Sequence, residues 1–468
     1  MLPREFGSEF AIKGAKVWHA GEFRDLSVAV KEGRIAGVSR VAHEGFSHVL
    51  DARNKYLIPG LVDLHVHTRD PGFTHKEDFA TASKAAAAGG VTTIVDMPNL
   101  SPAPNTAAIY EAKMKDNKSK SFVDFNHWAL PTKLEEIPKI AALGAVGFKF
   151  FMVLPKAAKP VYPYLPETSI VDYGQIFRTL EEIAKTNLPC VVHPLEPEIW
   201  REAEVEIAEK QNRHDIDAYL DCYSFKDSLT LTTSSAMLIL IANSVGAKIH
   251  LAHVCWRPQL ELARVMKSSG YKFTTEINPW TFFLSKEDNM RLGPFSHGIY
   301  NEGQEQDSMY EFLEDGTADI IATDHAPHTR EELEKGRIDF FSSPKGTPVL
   351  QDYLRLFLDA ISKGKLTLDT LVKLACENPS RHAQLFPRKG AIEVGSDADL
   401  VLLDMKKEYE ISNEKVYSKC GWTPWDGRKV QGSQEMVFLR GRLVTEDYDN
   451  VIGSQGEGEF VRPQALKS

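Results

Sequence analysis

Leu61-Val-Asp-Leu-His-Val-His67, then Phe79-Ala-Thr-Ala-Ser-Lys-Ala-Ala-Ala-Ala-Gly89, then Thr92-Thr-Ile-Val-Asp-Met97 together decide the fold. The first and third runs are short, apolar and rich in branched residues, which suits buried strands. The second is a run of strong helix formers closed by glycine. Strand, helix, strand at this spacing is the unit of a parallel sheet. The alternation continues: Thr106–Asp116 reads as helix, then Phe122–His127, Ala145–Met152, Pro189–His193, Lys248–His253, Lys272–Ile277 and Asp319–Thr323 read as strands. Tyr173–Lys185 and Leu260–Ser268 fall between them as helices. About eight such repeats predict a closed (β/α)8 TIM-type barrel, assigned to residues 58–388.

On either side the texture changes to antiparallel β. Ala15–His19, Leu26–Val30, Arg34–Val38 and His48–Leu50 precede the barrel, while Asp399–Asp404 and Met436–Val444 follow it. Residues 11–57 and 389–450 are expected to pair as one small discontinuous β-sandwich domain. Residues 1–10 contain Gly-Ser-Glu-Phe, which resembles a vector-derived tag, and residues 451–468 read as a flexible tail. The 468 residues are 43% hydrophobic and 26% charged, an ordinary globular balance. A net charge of −10 argues against nucleic acid or an anionic membrane as partner. No run approaches the ~20 consecutive apolar residues of a membrane span, and none has the apolar core of a secretory signal. The five cysteines (Cys190, Cys222, Cys255, Cys376, Cys420) are scattered without a CxxC pair. That pattern argues for a reducing compartment and against both a disulfide framework and a thiolate zinc site, so a cytoplasmic location is expected.

The chemistry-bearing residues sit at the C-terminal ends of the expected strands. His65 and His67, two apart on one strand, point to the same face and can converge on an ion. Alone, the pair fits two hydrogen-bonded core histidines equally well. Lys149 lies in an apolar run where a buried ammonium is costly unless paired, neutralised or modified; a lysine snorkelling to the rim is the plain alternative. His193, His253 and Asp324 end three further strands, and each has its own structural reading as a rim histidine, a core histidine or a helix cap. Six such groups on the rim where barrels carry their chemistry favour a metal site. Imidazole and carboxylate without thiolate suit Zn²⁺ or a similar divalent ion. The number of donors exceeds one tetrahedral ion, which favours two. Arg69, on the same face as His67, suits a carboxylate, with a salt bridge to Asp70 or Glu77 as the alternative.

These residues stand in longer strings: His65-Val-His-Thr-Arg-Asp-Pro-Gly72, Asp96-Met-Pro-Asn99, Gly147-Phe-Lys-Phe-Phe151, Thr323-Asp-His-Ala-Pro-His328 and Gly395-Ser-Asp-Ala-Asp-Leu400. Over roughly residues 11–445 the chain resembles the cyclic amidohydrolases of the amidohydrolase superfamily, and among them most resembles the dihydroorotases. The resemblance implies that His65 and His67 hold the more buried of two zinc ions, and that His193 and His253 hold the second. It implies that Lys149 is N6-carboxylated and bridges them, and that Asp324 binds metal and shuttles a proton after attack by the bridging hydroxide. It implies that Arg69, Asn99 and His328 hold a substrate carboxylate, with reversible interconversion of N-carbamoyl-L-aspartate and dihydroorotate in pyrimidine biosynthesis as the activity. It also implies a homo-oligomer, dimer or tetramer.

The chain departs from that pattern where the substrate ring is contacted. Asn278-Pro-Trp280 replaces a Pro-His string, Leu292–Gly303 lacks a Pro-Pro-Leu-Arg-like string, and Lys345–Asp352 replaces a Gly-Leu-Glu-Thr segment. An allantoinase, a hydantoinase or dihydropyrimidinase, or an imidase is therefore the alternative. A non-catalytic scaffold relative is more distant, because none of the six metal-ligand positions is missing.

Overall fold

The computed structural model describes residues 9–41, 45–153, 168–297 and 303–464. The N-terminal segment forms β1 (Glu9–His19), β2 (Glu22–Lys31), β3 (Arg34–Ser39), β4 (Val49–Asp51) and β5 (Tyr56–Pro59). β1 and β2 pair antiparallel from Glu9↔Lys31 to His19↔Glu22, with a bulge between Ile12 and Ala15. The expected exclusion of residues 1–10 needs correction at its end. Glu9 and Phe10 open β1, and Phe10 is fully buried and stacked on Phe438 with ring centroids 5.2 Å apart. A large aromatic at an inward strand position packs whatever its origin. Residues 1–8 lie outside the described residues.

Eight parallel strands follow in sequence order: β6 (Leu61–Val66), β7 (Val91–Asp96), β8 (Asp124–Ala129), β9 (Gly147–Phe151), β10 (Pro189–His193), β11 (Lys248–Leu251), β12 (Thr274–Ile277) and β13 (Ile320–Ile321). This is the TIM-type barrel read from the sequence. Closure runs through residues just past the last strand. His67 N–H donates to His325 O at 2.8 Å, and Val66 and His325 form a parallel bridge. The buried Asp63 carboxylate accepts from the backbone N–H of His65 (3.0 Å) and of Thr323 (3.2 Å), tying β6 to the end of β13. Helices wrap the outside. Phe79–Ala88 starts from a capping box at Asp78 and packs an alanine-rich face on the sheet. Ile216–Val245 turns Leu238, Ile239 and Ala242 into the core. By length and composition this helix is apolar enough to cross a membrane, with mean hydropathy 1.4 over its most apolar 18 residues. Three consecutive left-handed residues, Lys226, Asp227 and Ser228, break it near its middle.

The chain returns through β14 (Leu400–Glu410), β15 (Lys429–Leu439), β16 (Arg442–Glu446) and β17 (Asn450–Val451), which extend the first sheet. β14 pairs antiparallel with β5, Val401 opposite Ile58, so both ends of the chain share one sheet. A buried ionic joint fastens this sheet to the barrel. Lys389 Nζ lies 2.9 Å from Asp397 and 2.7 Å from Asp399 and also contacts Asp124 at the start of β8, which Arg440 pairs from the other side. The three carboxylates are close enough to hold a cation, and the lysine ammonium already serves that need. The expected flexible tail is also corrected. Gly456 and Gly458 donate to Ser121 O, Val461 N–H donates to Phe125 O at 2.9 Å, and Phe460 packs edge-on against Phe125 and Tyr110. Two large apolar residues at 460 and 461, behind glycines that permit close approach, dock the segment onto β8. Residues 465–468 lie outside the described residues.

Candidate metal centre

The C-terminal mouth of the barrel gathers the predicted donors in two groups. His65 and His67, ending β6, both face Asp324: their Nε2 atoms lie 3.2 and 3.3 Å from Asp324 Oδ1. One donor atom from each of the three falls within 4.8 Å of the others, and all three residues are buried. The second group is His193, ending β10, and His253, just past β11, joined Nδ1 to Nε2 at 2.7 Å. The rings of His253 and His65 are 5.8 Å apart, so the groups adjoin. Lys149 projects from β9 into the same interior, fully buried, its Nζ 5.0 Å from the Phe151 ring and without a hydrogen-bond partner among the described residues.

Local backbone aims these side chains. His253, Asp324 and Arg69 have φ of 39°, 49° and 61°. Residues with side chains rarely adopt this region, at a cost on the order of 1–3 kcal/mol each. The turn lets a strand end present its side chain across the mouth. Two outer contacts then fix the imidazoles. Glu276 in β12 takes His65 Nδ1 on Oε1, with His253 N–H at 3.0 Å on the same oxygen, and His250 Nε2 at 3.2 Å on Oε2. Asn99 Oδ1 accepts from His67 Nδ1 at 2.7 Å. Each ring thus spends its Nδ1–H on a protein oxygen and turns Nε2 toward Asp324, the arrangement that suits metal-ligating histidines.

Electrostatics agree. Burial pushes His67 and His253 down to about 3, with Asp324 opposing, so both are neutral and hold a lone pair at pH 7. Burial works to raise Asp324, but its imidazole neighbours, His65 first, outweigh it and hold the carboxyl well below its usual range. Burial also draws Lys149 down to about 8, against the pull of Glu276 and Asp324. An orphaned amine among neutral imidazoles and ionised carboxylates is an unfinished polar cluster. These residues fit a divalent cation.

Beside the metal-type donors lies a cationic corner. Arg69 Nη2 is 3.1 Å from His328 Nε2, and its Nε donates to Pro327 O at 3.3 Å. The sequence alternative, a salt bridge from Arg69 to Asp70 or Glu77, is not how those carboxylates are engaged: Asp70 meets Lys120 at 2.9 Å, and Glu77 accepts from Ser418 and Lys419. Asn99 joins this edge through His67, accepting from its Nδ1 on Oδ1.

Two residues of the mouth escaped the sequence reading. Glu276 stands in an otherwise uncharged strand, the same signal that marked Lys149, and a buried carboxylate there needs partners just as an ammonium does. His297 stacks on Trp280, centroids 4.3 Å apart and planes 18° apart, with Nε2 4.0 Å from Asp324 Oδ2. His297 and its stacking partner Trp280 both belong to the stretches where the chain departs from the family strings. Of the two other departing segments, Lys345–Asp352 is docked by a bridge between Thr347 and His325; residues 298–302 of Leu292–Gly303 lie outside the described residues.

Fold and site together define a parallel eight-stranded barrel whose C-terminal rim carries histidine and aspartate donors suited to a divalent metal. The chain belongs to the amidohydrolase family, which matches residues 56–444. It is 31% identical over 441 residues to a dihydroorotase of Methanothermobacter thermautotrophicus, covering 94% of this chain and 95% of that protein. It is 29% identical over 458 residues to an L-hydantoinase of Paenarthrobacter aurescens, covering 96% and 97%. Among solved structures, the L-hydantoinase of Arthrobacter aurescens superposes with a TM-score of 0.90 at 28% identity, covering 97% of this chain and 100% of that one.

Proposed function

We propose that the protein is a metal-dependent cyclic amide hydrolase of dihydroorotase type, which opens dihydroorotate to N-carbamoyl-L-aspartate and closes it in reverse in pyrimidine synthesis. The observation that carries the carboxylate-bearing ring is the contact of Arg69 with His328, with Asn99 bound to His67, two residues before Arg69. A guanidinium, an imidazole and an amide at one edge of a buried metal-type site suit a planar anion.

His65, His67 and Asp324 would hold one ion and His193 and His253 the other, with zinc as the metal. Lys149 would bridge them after its amine adds to CO₂, forming a C–N bond and releasing a proton to give an anionic carbamate. Its buried, unpartnered amine supports that reading. Bound there, the ions would supply Lewis-acid polarisation of the amide carbonyl and a water of lowered pKa. Asp324 takes a proton from the attacking water and hands it to the ring nitrogen as the C–N bond breaks, so one carboxylate serves both transfers. Glu276 keeps His65 in one tautomer throughout. The chain is read as a cytoplasmic homo-oligomer; free thiols support the compartment, and Phe177, Leu229 and Leu240, each about 40% exposed on two neighbouring outer helices, support self-association. An uncharged hydantoin-type ring is the second reading, favoured by the Trp280–His297 stack.

Metal analysis of the purified protein with assays on dihydroorotate, hydantoin and allantoin tests the proposal. About two divalent ions per chain and dihydroorotate turnover abolished by Arg69→Ala are expected. Turnover of uncharged rings only would replace the substrate, and metal-free, inactive protein would remove the enzymatic reading.

A further inference from the structure

His328 is fully buried and has a cationic donor at each ring nitrogen. Arg69 Nη2 lies 3.1 Å from Nε2, and Lys76 Nζ lies 3.3 Å from Nδ1, with Glu332 Oε2 beyond it at 3.7 Å and already paired with Lys76 through its other oxygen. Burial, with Arg69 and Lys76 beside the ring, pushes His328 down to about 3 despite Glu332, so the imidazole is neutral at pH 7. A neutral imidazole has one lone pair and one N–H. It can accept from only one of the two cations, and its N–H must face the other.

Lys76 is held by an ion pair. Its side chain is 6% exposed, its ammonium lies 3.0 Å from Glu332 Oε1, and it stands over the Phe73 ring. Glu332 is itself fixed as the third residue of helix Arg330–Glu334, in a capping box with Thr329. Arg69, equally buried, is held through Nε on Pro327 O at 3.3 Å and stands two residues past His67, on the side of the metal-type donors.

We propose that Lys76 is a positioning residue that sets the tautomer of His328: Nδ1 accepts from Lys76, so Nε2 carries the N–H and presents it, beside Arg69, to the carboxylate of a cyclic amide substrate. In the other tautomer an N–H would abut the Lys76 ammonium, and a lone pair would meet the incoming anion. The inference deepens the dihydroorotase reading and rests on it for the identity of the anion. The tautomer itself rests only on the geometry at His328.

The test uses the metal-loaded full chain with two rings, dihydroorotate and dihydrouracil, the second identical but for the missing carboxylate and read as substrate or competitive inhibitor. Removing a charge-assisted contact of this kind is worth about 10- to 100-fold in affinity. Lys76→Met should raise KM for dihydroorotate by that factor, leave kcat within about 3-fold, and leave dihydrouracil affinity unchanged; Lys76→Arg should restore most of the loss. Nitrogen NMR of 15N-histidine-labelled protein should show His328 protonated at Nε2 in the wild type and mixed in Lys76→Met. If Lys76→Met does not fold, Glu332→Gln, which frees the ammonium, should shift KM and tautomer the same way. An Nδ1-protonated His328 in the wild type, or equal losses for both rings, overturns the proposal. Absence of dihydroorotate turnover in the wild type would instead remove the substrate reading and leave the NMR result to decide the tautomer.

Discussion

Replacing Glu276 with glutamine isolates what the outer contacts of the metal-type site do. The carboxylate takes two donors on Oε1, from His65 Nδ1 and His253 N–H, and one on Oε2, from His250 Nε2. Glutamine keeps the Oε1 acceptor and places an NH₂ group toward His250. That ring can adapt, because its Nδ1 faces the Thr274 hydroxyl at 2.8 Å, which either donates or accepts. What is lost is therefore the charge under two hydrogen bonds. Charged acceptors are worth about 1.5–3 kcal/mol against about 0.5–1.5 for neutral ones, so two bonds cost about 2–3 kcal/mol, or roughly 30- to 150-fold. The range overlaps the 10- to 100-fold typical of losing such an outer partner. Competitive chelator titration would read the loss as weakened metal affinity, steady-state kinetics as lowered kcat, and circular dichroism would show the fold retained. A folded Glu276→Gln protein with metal affinity and kcat within about 3-fold of wild type would refute the claim that Glu276 holds His65 in its working orientation.

Lys389→Met should cost about 3–5 kcal/mol in urea unfolding, because it leaves three buried carboxylates to Arg440 on Asp124 and to Arg34 and Arg388 on Asp397, with Asp399 stripped of its ammonium. Val461→Asp should cost about 3 kcal/mol and expose the Gly453–Val461 segment to protease, since a carboxylate would replace a fully buried methyl pair. Acid should destabilise the fold well before its carboxylates titrate. His67, His253 and His328 are depressed to about 3 and His297 to about 4, whereas the unfolded chain protonates its histidines near 6.5. Between those values the unfolded state binds more protons, so stability is present above pH 6.5 and lost as pH falls toward 3, at about 1.4 kcal/mol per pH unit for each such group. Urea midpoints measured from pH 7 to 4 should fall steeply, and a flat profile would contradict the neutral, buried state of these rings.

The barrel was legible because each of its strands carries a compact apolar run, and eight of these, from β6 to β13, lie where the pattern put them. What blurred was their ends: β13 is only Ile320–Ile321, because the residues after it turn away to present Asp324 and close the barrel through His325. The donors were legible because a polar residue ending an apolar strand conflicts with its surroundings, and the six predicted residues converge on one mouth. Their outer partners were less visible. Glu276 obeys the same rule and was passed over because its strand is short and threonine-rich, while His297 sits in no regular strand and is brought in by stacking on Trp280. The docked tail shows the converse limit. Glycine and glutamate suggest mobility, and only the three-dimensional surface of β8 shows that Phe460 and Val461 have somewhere to pack.

β5 ends at Pro59 and β6 begins at Leu61, so one residue, Gly60, carries the chain from the mixed sheet into the barrel. A side chain there would strike Thr92, its Cβ 2.0 Å from the threonine hydroxyl oxygen, while Gly60 N–H donates to Asp399 O. The connection between β14 and β15 reaches the mouth, where Trp422 Nε1 donates to His328 O and Ser418 and Lys419 hold Glu77. With one residue between the sheets and a clasp at the other side, the described residues offer no axis about which the two halves can swing. Traffic into the site is thereby left to loops and side chains, and the scattering envelope of the protein should be the same before and after substrate enters.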